Sequence, residues 1–559
     1  MAVSSHASTA LSQTPLLENI VEGAVDYKGQ RVGRSNSGGW SAAALIIGVE
    51  VSERFAYYGI SSNLITYLTG PLGQSTAKAA ENVNVWSGTA LMLPLLGALV
   101  ADSFLGRYRT IVVASVLYIV GLSLMILSAI LPSTSCQTNK ILSCSTEIQE
   151  ILFFFSLYLV ALAQGGHRPC VQALGADQFD EKDAEESKTK SSFFNWWNFG
   201  ICVGSLVSYL ILNYIQDNLS WVLGFGVPCI AMLLAFVVFL LGTKTYRYSM
   251  MPRKRSPFAR IGRVFVAAFK NRRSNPATIT IEEEYGTPSY QSFEQFKFLN
   301  KALHAADEPL ISINEVEEAK TVLRLVPIWG SCMAVSIAIA QLSTLFTKQG
   351  ATMDRKILFG FNIPAASLQS FTSLSILIFI PIYDRIFVPI ARAFTGKTSG
   401  ITMLQRIGIG IFSSSLSMVV AALVEIKRLN TAQQFGLVDM PSAPVPMTVW
   451  WLLPQYLLIG IADVFGTIGI QEFFYSQVPI EMRSIGLALF LSVFGLGNIL
   501  SSFLVSAIDK VTSPNSWFSN NLNKAHLDYF YWLLAGLCAI GFVVYLYSAR
   551  SYIYNGGCI

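Results

Sequence analysis

The sequence predicts an all-α membrane protein with twelve transmembrane helices, and three observations carry that prediction. Only 13% of the 559 residues are charged, 52% are hydrophobic and the mean hydropathy is +0.49, whereas soluble domains carry about 25% charged residues. Apolar runs recur along the whole chain at the length of roughly 20 residues that an α-helix needs to cross a bilayer. Those runs retain internal Gly and Pro, which spanning helices tolerate and soluble ones use sparingly.

In chain order the spans are expected near residues 41–69, 84–104, 110–131, 151–175, 192–214, 221–242, 322–347, 362–387, 400–426, 447–474, 484–508 and 527–550. The count divides into two six-helix bundles, 41–242 and 322–550, joined by a central loop over 243–321 and flanked by polar tails at 1–40 and 551–559. This is the layout of the major facilitator fold, in which the site lies near the bilayer midplane between the halves. No cleavable leader opens the chain, so the first span itself is expected to direct insertion.

Orientation follows from the cations. With both termini cytosolic, 28 of the 39 Lys and Arg residues fall on the inner side and nine in outer loops, as the positive-inside rule requires. The net charge of +5 does not point to nucleic acid, because the basic residues are scattered through loops and form no groove. Within the central loop, Phe258, Ile261, Val264, Phe265, Ala268 and Phe269 recur at helical spacing with Arg260, Arg263, Lys270, Arg272 and Arg273 between or after them. This pattern predicts a basic amphipathic helix on the inner leaflet, with a partly ordered linker as the alternative. Residues 274–314 read as flexible linker.

The eight cysteines form no Cys-x-x-Cys or Cys/His cluster, so no metal site is expected. Cys136 and Cys144 share an outer loop and could pair if that side is oxidising. Asn218-Leu-Ser220 is an outer glycosylation sequon that nearly touches the sixth span.

The chemistry concentrates in the first span, in Glu50-Val-Ser-Glu53-Arg54-Phe-Ala-Tyr57-Tyr58-Gly59. Positions 50, 53, 54, 57, 58 and 61 share one helical face. Each ionisable side chain at mid-bilayer costs at least about 2.5 kcal/mol, so three on one face require partners. A Glu–Arg pair alone would serve as a structural lock; a second carboxylate beside it points to a proton site, since like charges at short range raise one another's proton affinity. The fourth span adds Gln164-Gly-Gly-His167-Arg168-Pro169, where Arg168 is the natural counter-ion and His167 reads as a packing residue. The tenth span places one acid, Asp463, in an apolar run, facing the first half and available to a cation or amine.

These residues carry a resemblance. The Glu50-x-x-Glu53-Arg54 stretch resembles the first-helix signature of the proton-dependent oligopeptide transporter family. Co-linear matches follow at Ala101-Asp102-Ser-Phe-Leu-Gly106-Arg107-Tyr-Arg109, Gly175-Ala-Asp177-Gln-Phe-Asp180, Ser192-Phe-Phe-Asn195-Trp and Phe474-Tyr-Ser-Gln477-Val-Pro479. The likeness spans nearly the whole chain and is greatest to the plant nitrate transporter/peptide transporter family, in particular its fifth subfamily. It implies that Glu50, Glu53, Arg54 and Arg168 couple protons, Arg168 standing where the family usually has Lys. It implies that Tyr57, Tyr58, Ile339 and Asp463 face the substrate. Asp463 replaces a Glu that holds the peptide amine in peptide carriers, and Ile339 lies where nitrate-carrying relatives can have His. Asp102, Arg107 and Arg109 match a loop that braces helices during rocking.

The expected function is proton-driven symport of small solutes by alternating access, with di- and tripeptides, nitrate and organic metabolites all open. The proton is the coupling ion, and neither a cofactor nor a metal is expected. The alternative is a nutrient sensor with incidental flux. An enzyme is not expected, since no nucleophile–base pair or metal constellation appears. The expected partners are the substrate, protons and the lipid bilayer. The expected location is the plasma or vacuolar membrane, where Thr14-Pro-Leu16-Leu17 resembles a vacuolar signal but lacks its upstream acid.

Overall fold

The computed structural model describes residues 20–34, 37–131, 142–180, 183–249, 257–271, 296–304, 311–356, 360, 362–395, 401–479 and 482–552. Among them, eleven helices are long and apolar enough to cross a membrane: Thr76–Val100, Arg107–Ile130, Glu147–Ala176, Ser192–Asn218 and Trp221–Lys244, then Ile313–Ile339, Ala365–Ala393, Met403–Gln434, Val449–Ser476, Arg483–Thr512 and Leu527–Arg550. A twelfth helix, Gly39–Ser61, comes first in the chain. Its 23 residues span about 35 Å at 1.5 Å per residue, but Glu50, Glu53 and Arg54 set it apart from the others in composition. These twelve helices are called the first to twelfth spans.

Six spans precede the central segment and six follow it, so both chain ends and the central segment lie on one side, here the terminal face. The halves meet along the second and eleventh spans. They approach closely at Gly88, where a Cβ would lie 2.6 Å from the carbonyl oxygen of Gly495, so a side chain there would push the bundles apart. Toward the opposite face the halves also share polar contacts. Asn84 donates to Ser501 at 3.1 Å, Gln369 to the Ser62 carbonyl at 2.9 Å, Ser367 to the Tyr209 carbonyl at 2.6 Å and Lys348 to Thr69 at 3.1 Å.

On the terminal face the N-terminal segment does more than trail into solvent. β1 (Ile20–Val25) forms an antiparallel hairpin with β2 (Arg31–Gly33) and also pairs with β3 (Tyr248–Ser249), just past the sixth span. Arg34 then bonds Asp180 at 2.9 Å and Asp183 at 3.0 Å, while the fully buried Arg247 bonds Glu186 at 2.7 Å. The backbone N–H groups of Glu186 and Glu185, helped by the Arg34 guanidinium, hold the Asp183 carboxyl below the usual aspartate range.

Three sequence expectations change. The seventh span begins at Ile313, inside the stretch read as linker, because Ser312 and Glu315 form a reciprocal N-terminal cap. The eighth span runs on through a π-type turn, Tyr383–Phe387, to Ala393. The amphipathic helix Pro257–Lys270 exists, but its apolar face is not free for lipid. Val264, Ala267 and Ala268 pack against Leu299, Ala302, Val316 and Ala319. Arg260 and Arg263 are drawn to the protein side by Glu318 (3.0 Å) and Glu315 (2.7 Å), leaving Phe258, Val266 and Phe269 exposed. Cys136 and the Thr14–Leu17 signal lie outside the described residues, as do most of 274–314 and the side chains of Cys144 and Asp102.

The second half holds its own buried ion pair. Arg428 and Glu425, both fully buried in the ninth span, meet at 2.6 Å, and Arg428 also donates to Asn523 (2.8 Å) and the Leu522 carbonyl (2.7 Å). Removing one member of a buried pair strands the other charge and costs about 3–5 kcal/mol. Arg428→Ala is therefore expected to lower the melting temperature of the detergent-purified protein clearly, and Arg428→Lys to lower it less. Equal melting of all three proteins would show that this pair contributes no stability.

Candidate functional site

The first span folds its charged face into the first bundle. Glu50, Glu53 and Arg54 are 2%, 0% and 1% exposed. Arg54 Nε lies 3.1 Å from Glu50 Oε1, and its Nη2 makes a closer ion pair with Glu53 Oε2. One guanidinium thus holds two carboxylates, which the i,i+4 and i,i+1 spacings allow on one turn. Arg168 of the fourth span lies within electrostatic reach of both acids, so the four formal charges cancel. Glu50 Oε2 and Glu53 Oε1 have no hydrogen-bond partner among the described residues, and Tyr118 of the third span lies beside Glu53.

An aromatic ladder fixes the helix in this rotation. The Arg54 guanidinium lies 5.6 Å from the Tyr57 ring centre, a cation–π distance. Tyr57 stacks on Trp86 of the second span at 5.6 Å, and Trp86 donates to the Leu157 carbonyl of the fourth span at 3.0 Å. Tyr58, one residue on, turns toward the space between the halves and meets Tyr209 of the fifth span edge-on at 5.5 Å.

The fourth span reaches the first because Gly165 allows it. A Cβ on Gly97 of the second span would collide with the Gly165 carbonyl, and a Cβ on Gly165 would lie 2.7 Å from Leu93. The two helices therefore cross at backbone distance, carrying residues 167 and 168 up against the first span. His167 is fully buried, and one of its ring nitrogens lies within 4.8 Å of a carboxylate oxygen from each of Glu50 and Glu53. The sequence reading of His167 as a packing residue gains one feature it did not foresee, the proximity of both acids. Neighbours on a helix do point about 100° apart, yet the close crossing sets both His167 and Arg168 beside the acids.

Glu50, Glu53 and His167 have the right donor types for a metal ion. The local charge argues for a smaller tenant. Arg54 and Arg168 together already neutralise the two carboxylates, and two unit charges 4 Å apart at an effective dielectric of 20 interact by about 4 kcal/mol. A divalent cation would meet that repulsion, whereas a proton can add to one open carboxylate oxygen.

On the other wall, Asp463 begins a π-type turn, Asp463–Thr467, that interrupts the tenth span. Such turns often mark functional positions. Tyr209 sits on a similar turn in the fifth span, Ser208–Leu212, and lies within electrostatic reach of both Tyr58 and Asp463. Cys202, one of the free cysteines, also faces Asp463. Arg168, Tyr58, Cys202 and Asp463 are each partly exposed, unlike the buried acids. Ile339, at the end of the seventh span, is half-buried and packs against a hydrophobic cluster of the second half and against another that draws on both halves.

Of the residues matched to the bracing loop, Arg107 makes a close ion pair with Asp177 at the end of the fourth span, inside the first half. Arg109 is exposed. Tyr209, Cys202 and Tyr118 were not singled out from sequence. Each is an ordinary residue in an apolar run, and only the packing of the third, fifth and tenth spans gives it a place.

The sequence matches the POT family profile (PTR2) over residues 108–521. It is 64% identical over 544 residues to Protein NRT1/PTR FAMILY 5.10 of Arabidopsis thaliana, covering 97% of each chain. To family member 5.14 of the same plant it is 54% identical over 558 residues, covering 98% of this chain and 99% of the relative. The fold is similar to that of an auto-inhibited POT family peptide transporter, with a TM-score of 0.71 at 21% identity over 93% of this chain and 99% of that one. It is also similar to a POT family transporter in complex with 5-aminolevulinic acid, with a TM-score of 0.63 at 16% identity over 93% and 99%. Twelve helices in two bundles, a buried Glu–Glu–Arg turn and these matches together make the chain an integral membrane transporter of the POT family, in the branch of the plant NRT1/PTR proteins.

Proposed function

We propose that the protein is a proton-coupled symporter of small amine-bearing solutes, peptides among them, and that both termini face the cytosol. The observation that carries this reading is the division of charge across the central space. A net-neutral cluster of two acids and two guanidinium groups lies in the first half, and an acid, Asp463, lies on the facing wall. Glu50 and Glu53 take the coupling proton, because an arginine does not release its own. Arg54 and Arg168 hold the acids. Asp463 meets the substrate cation, with Tyr57, Tyr58 and Ile339 shaping the space beside it.

The named polar contacts between the halves gather toward the opposite face, which supports an arrangement closed there and open toward the terminal face. The Lys and Arg excess favours the cytosol for that side. Arg107 helps keep the first bundle rigid as the halves rock, with Asp102 and Arg109 assigned to the same brace on family resemblance. One charge moving down 100 mV yields about 2.3 kcal/mol, and each pH unit adds about 1.4 kcal/mol. Together these suffice to concentrate a neutral solute tens-fold.

The test is uptake by proteoliposomes under an imposed pH gradient, with dialanine, 5-aminolevulinic acid and nitrate as probes. Accumulation of an amine-bearing probe that collapses with the gradient is expected; gradient-independent or absent uptake of both would sink the reading. Glu53→Gln should abolish acid-stimulated accumulation while the protein still inserts, and concentrative, pH-dependent uptake at the wild-type level would remove Glu53 from the coupling site. Arg168→Ala should lose transport and Arg168→Lys retain part of it; unchanged uptake by the Ala variant would leave Arg168 a packing residue. Asp463→Asn should weaken uptake of the amine-bearing probes and spare any nitrate uptake. Nitrate transport alone, untouched by that change, would overturn the assignment of Asp463.

A further inference from the structure

We infer that His167 is a third proton-holding residue of the coupling site, bridging Glu50 and Glu53. This rests on the proton-coupling reading above and extends it to a residue outside the Glu50-x-x-Glu53-Arg54 stretch. Three observations converge on the ring. It is fully buried, both nitrogens lack a hydrogen-bond partner among the described residues, and a nitrogen lies within 4.8 Å of an oxygen from each carboxylate. A histidine serving only to pack would satisfy at least one nitrogen, since an unmade buried hydrogen bond costs about 1–3 kcal/mol. Here the nearest ionisable groups are the two carboxylates, and Glu50 Oε2 and Glu53 Oε1 also lack hydrogen-bond partners among the described residues.

The chemistry follows from the imidazole. Neutral, it presents one N–H donor and one acceptor, so it can donate to one carboxylate and accept from the other when that one is protonated. Proton transfer is then balanced within the cluster. The O–H of protonated Glu50 or Glu53 breaks, an N–H forms on the free ring nitrogen, and a carboxylate and an imidazolium result; reversal returns the proton to either acid. The charged groups around the ring are the two carboxylates and the guanidinium groups of Arg54 and Arg168. Tyr118 of the third span and Tyr57 and Tyr58 of the first are the other titratable neighbours of the cluster. At this level the second span contributes Leu93 and Gly97, which do not titrate. With counter-charges of both signs at hand, neither state of the ring is left uncompensated.

The remaining histidines, His6, His304 and His526, all lie outside the twelve spans. Replacing those three with Gln leaves His167 as the only histidine in an otherwise intact chain. Ring-15N labelling then gives one pair of signals, whose shifts report proton occupancy and tautomer without any substrate. In detergent-purified protein these signals are expected to shift with pH over the range in which the protein stays folded. In Glu53→Gln and Glu50→Gln on this background, the response should move to lower pH by about one unit, because each removes an anion beside the ring. A ring that stays in one neutral form across that range, or a response that neither substitution moves, overturns the inference. The proteoliposome assay decides proton coupling independently, so failure of either idea is visible without the other.

Discussion

One arginine held between two glutamates on a buried turn is the constraint around which the first half is built. Isolated in hydrocarbon, each of these ions costs at least about 2.5 kcal/mol, and the penalty is removed only by bringing other helices close. Arg168 comes from the fourth span, which reaches the first by crossing the second at Gly97 and Gly165. Tyr57, Trp86 and the Leu157 carbonyl lock the rotation that points Arg54 inward. The glycine pair in the second and fourth spans is therefore as much a part of the site as the acids. It allows the backbone approach that brings Arg168 to balance the carboxylate charge left over by Arg54.

The architecture was legible from sequence because the bilayer imposes a length and a composition on every span. Eleven helices announce themselves by hydropathy, and the twelfth is marked by the charged stripe that also marks the site. The Glu50–Arg54 pairing was legible too, since spacing on a single helix fixes it. Contacts between helices were not. His167 is separated from Glu50 by more than a hundred residues, and its ring direction depends on where two glycines let helices cross. Tyr209 and Asp463 sit on turns of π type, whose extra residue shifts the helical phase that a sequence argument assumes to be constant. The amphipathic segment misled for a similar reason. Its periodicity specifies an apolar face but not the surface that covers it, and the early start of the seventh span supplied one.

The two halves differ in how they handle buried charge. In the second half, Glu425 and Arg428 satisfy each other and are closed off further by Gln349, Asn523 and the Leu522 carbonyl. Such a pair is saturated and has little capacity to respond to anything. In the first half, Glu50 and Glu53 keep open oxygens next to a ring with open nitrogens. The contrast separates a structural ion pair from one suited to titration, and it does so by hydrogen-bond satisfaction, which burial alone cannot show.

The charges also bear on what the proposed cycle can carry. With its acids ionised, the first-half wall is neutral, because Glu50 and Glu53 offset Arg54 and Arg168. Adding one proton to this cluster, wherever it resides, makes that wall positive by one charge, since both guanidinium groups stay protonated. The wall opposite then faces it with the single negative charge of Asp463. A solute bearing an amine at one end and a carboxylate at the other complements both walls only in the proton-loaded state. A nitrate ion complements one wall and is repelled by the other. In the proposed cycle, loading the proton would therefore raise affinity for a zwitterion through the substrate's carboxylate, with Asp463 the proposed partner of its amine. In that arrangement proton and substrate stabilise each other's binding across the central space, which is the linkage that co-transport requires.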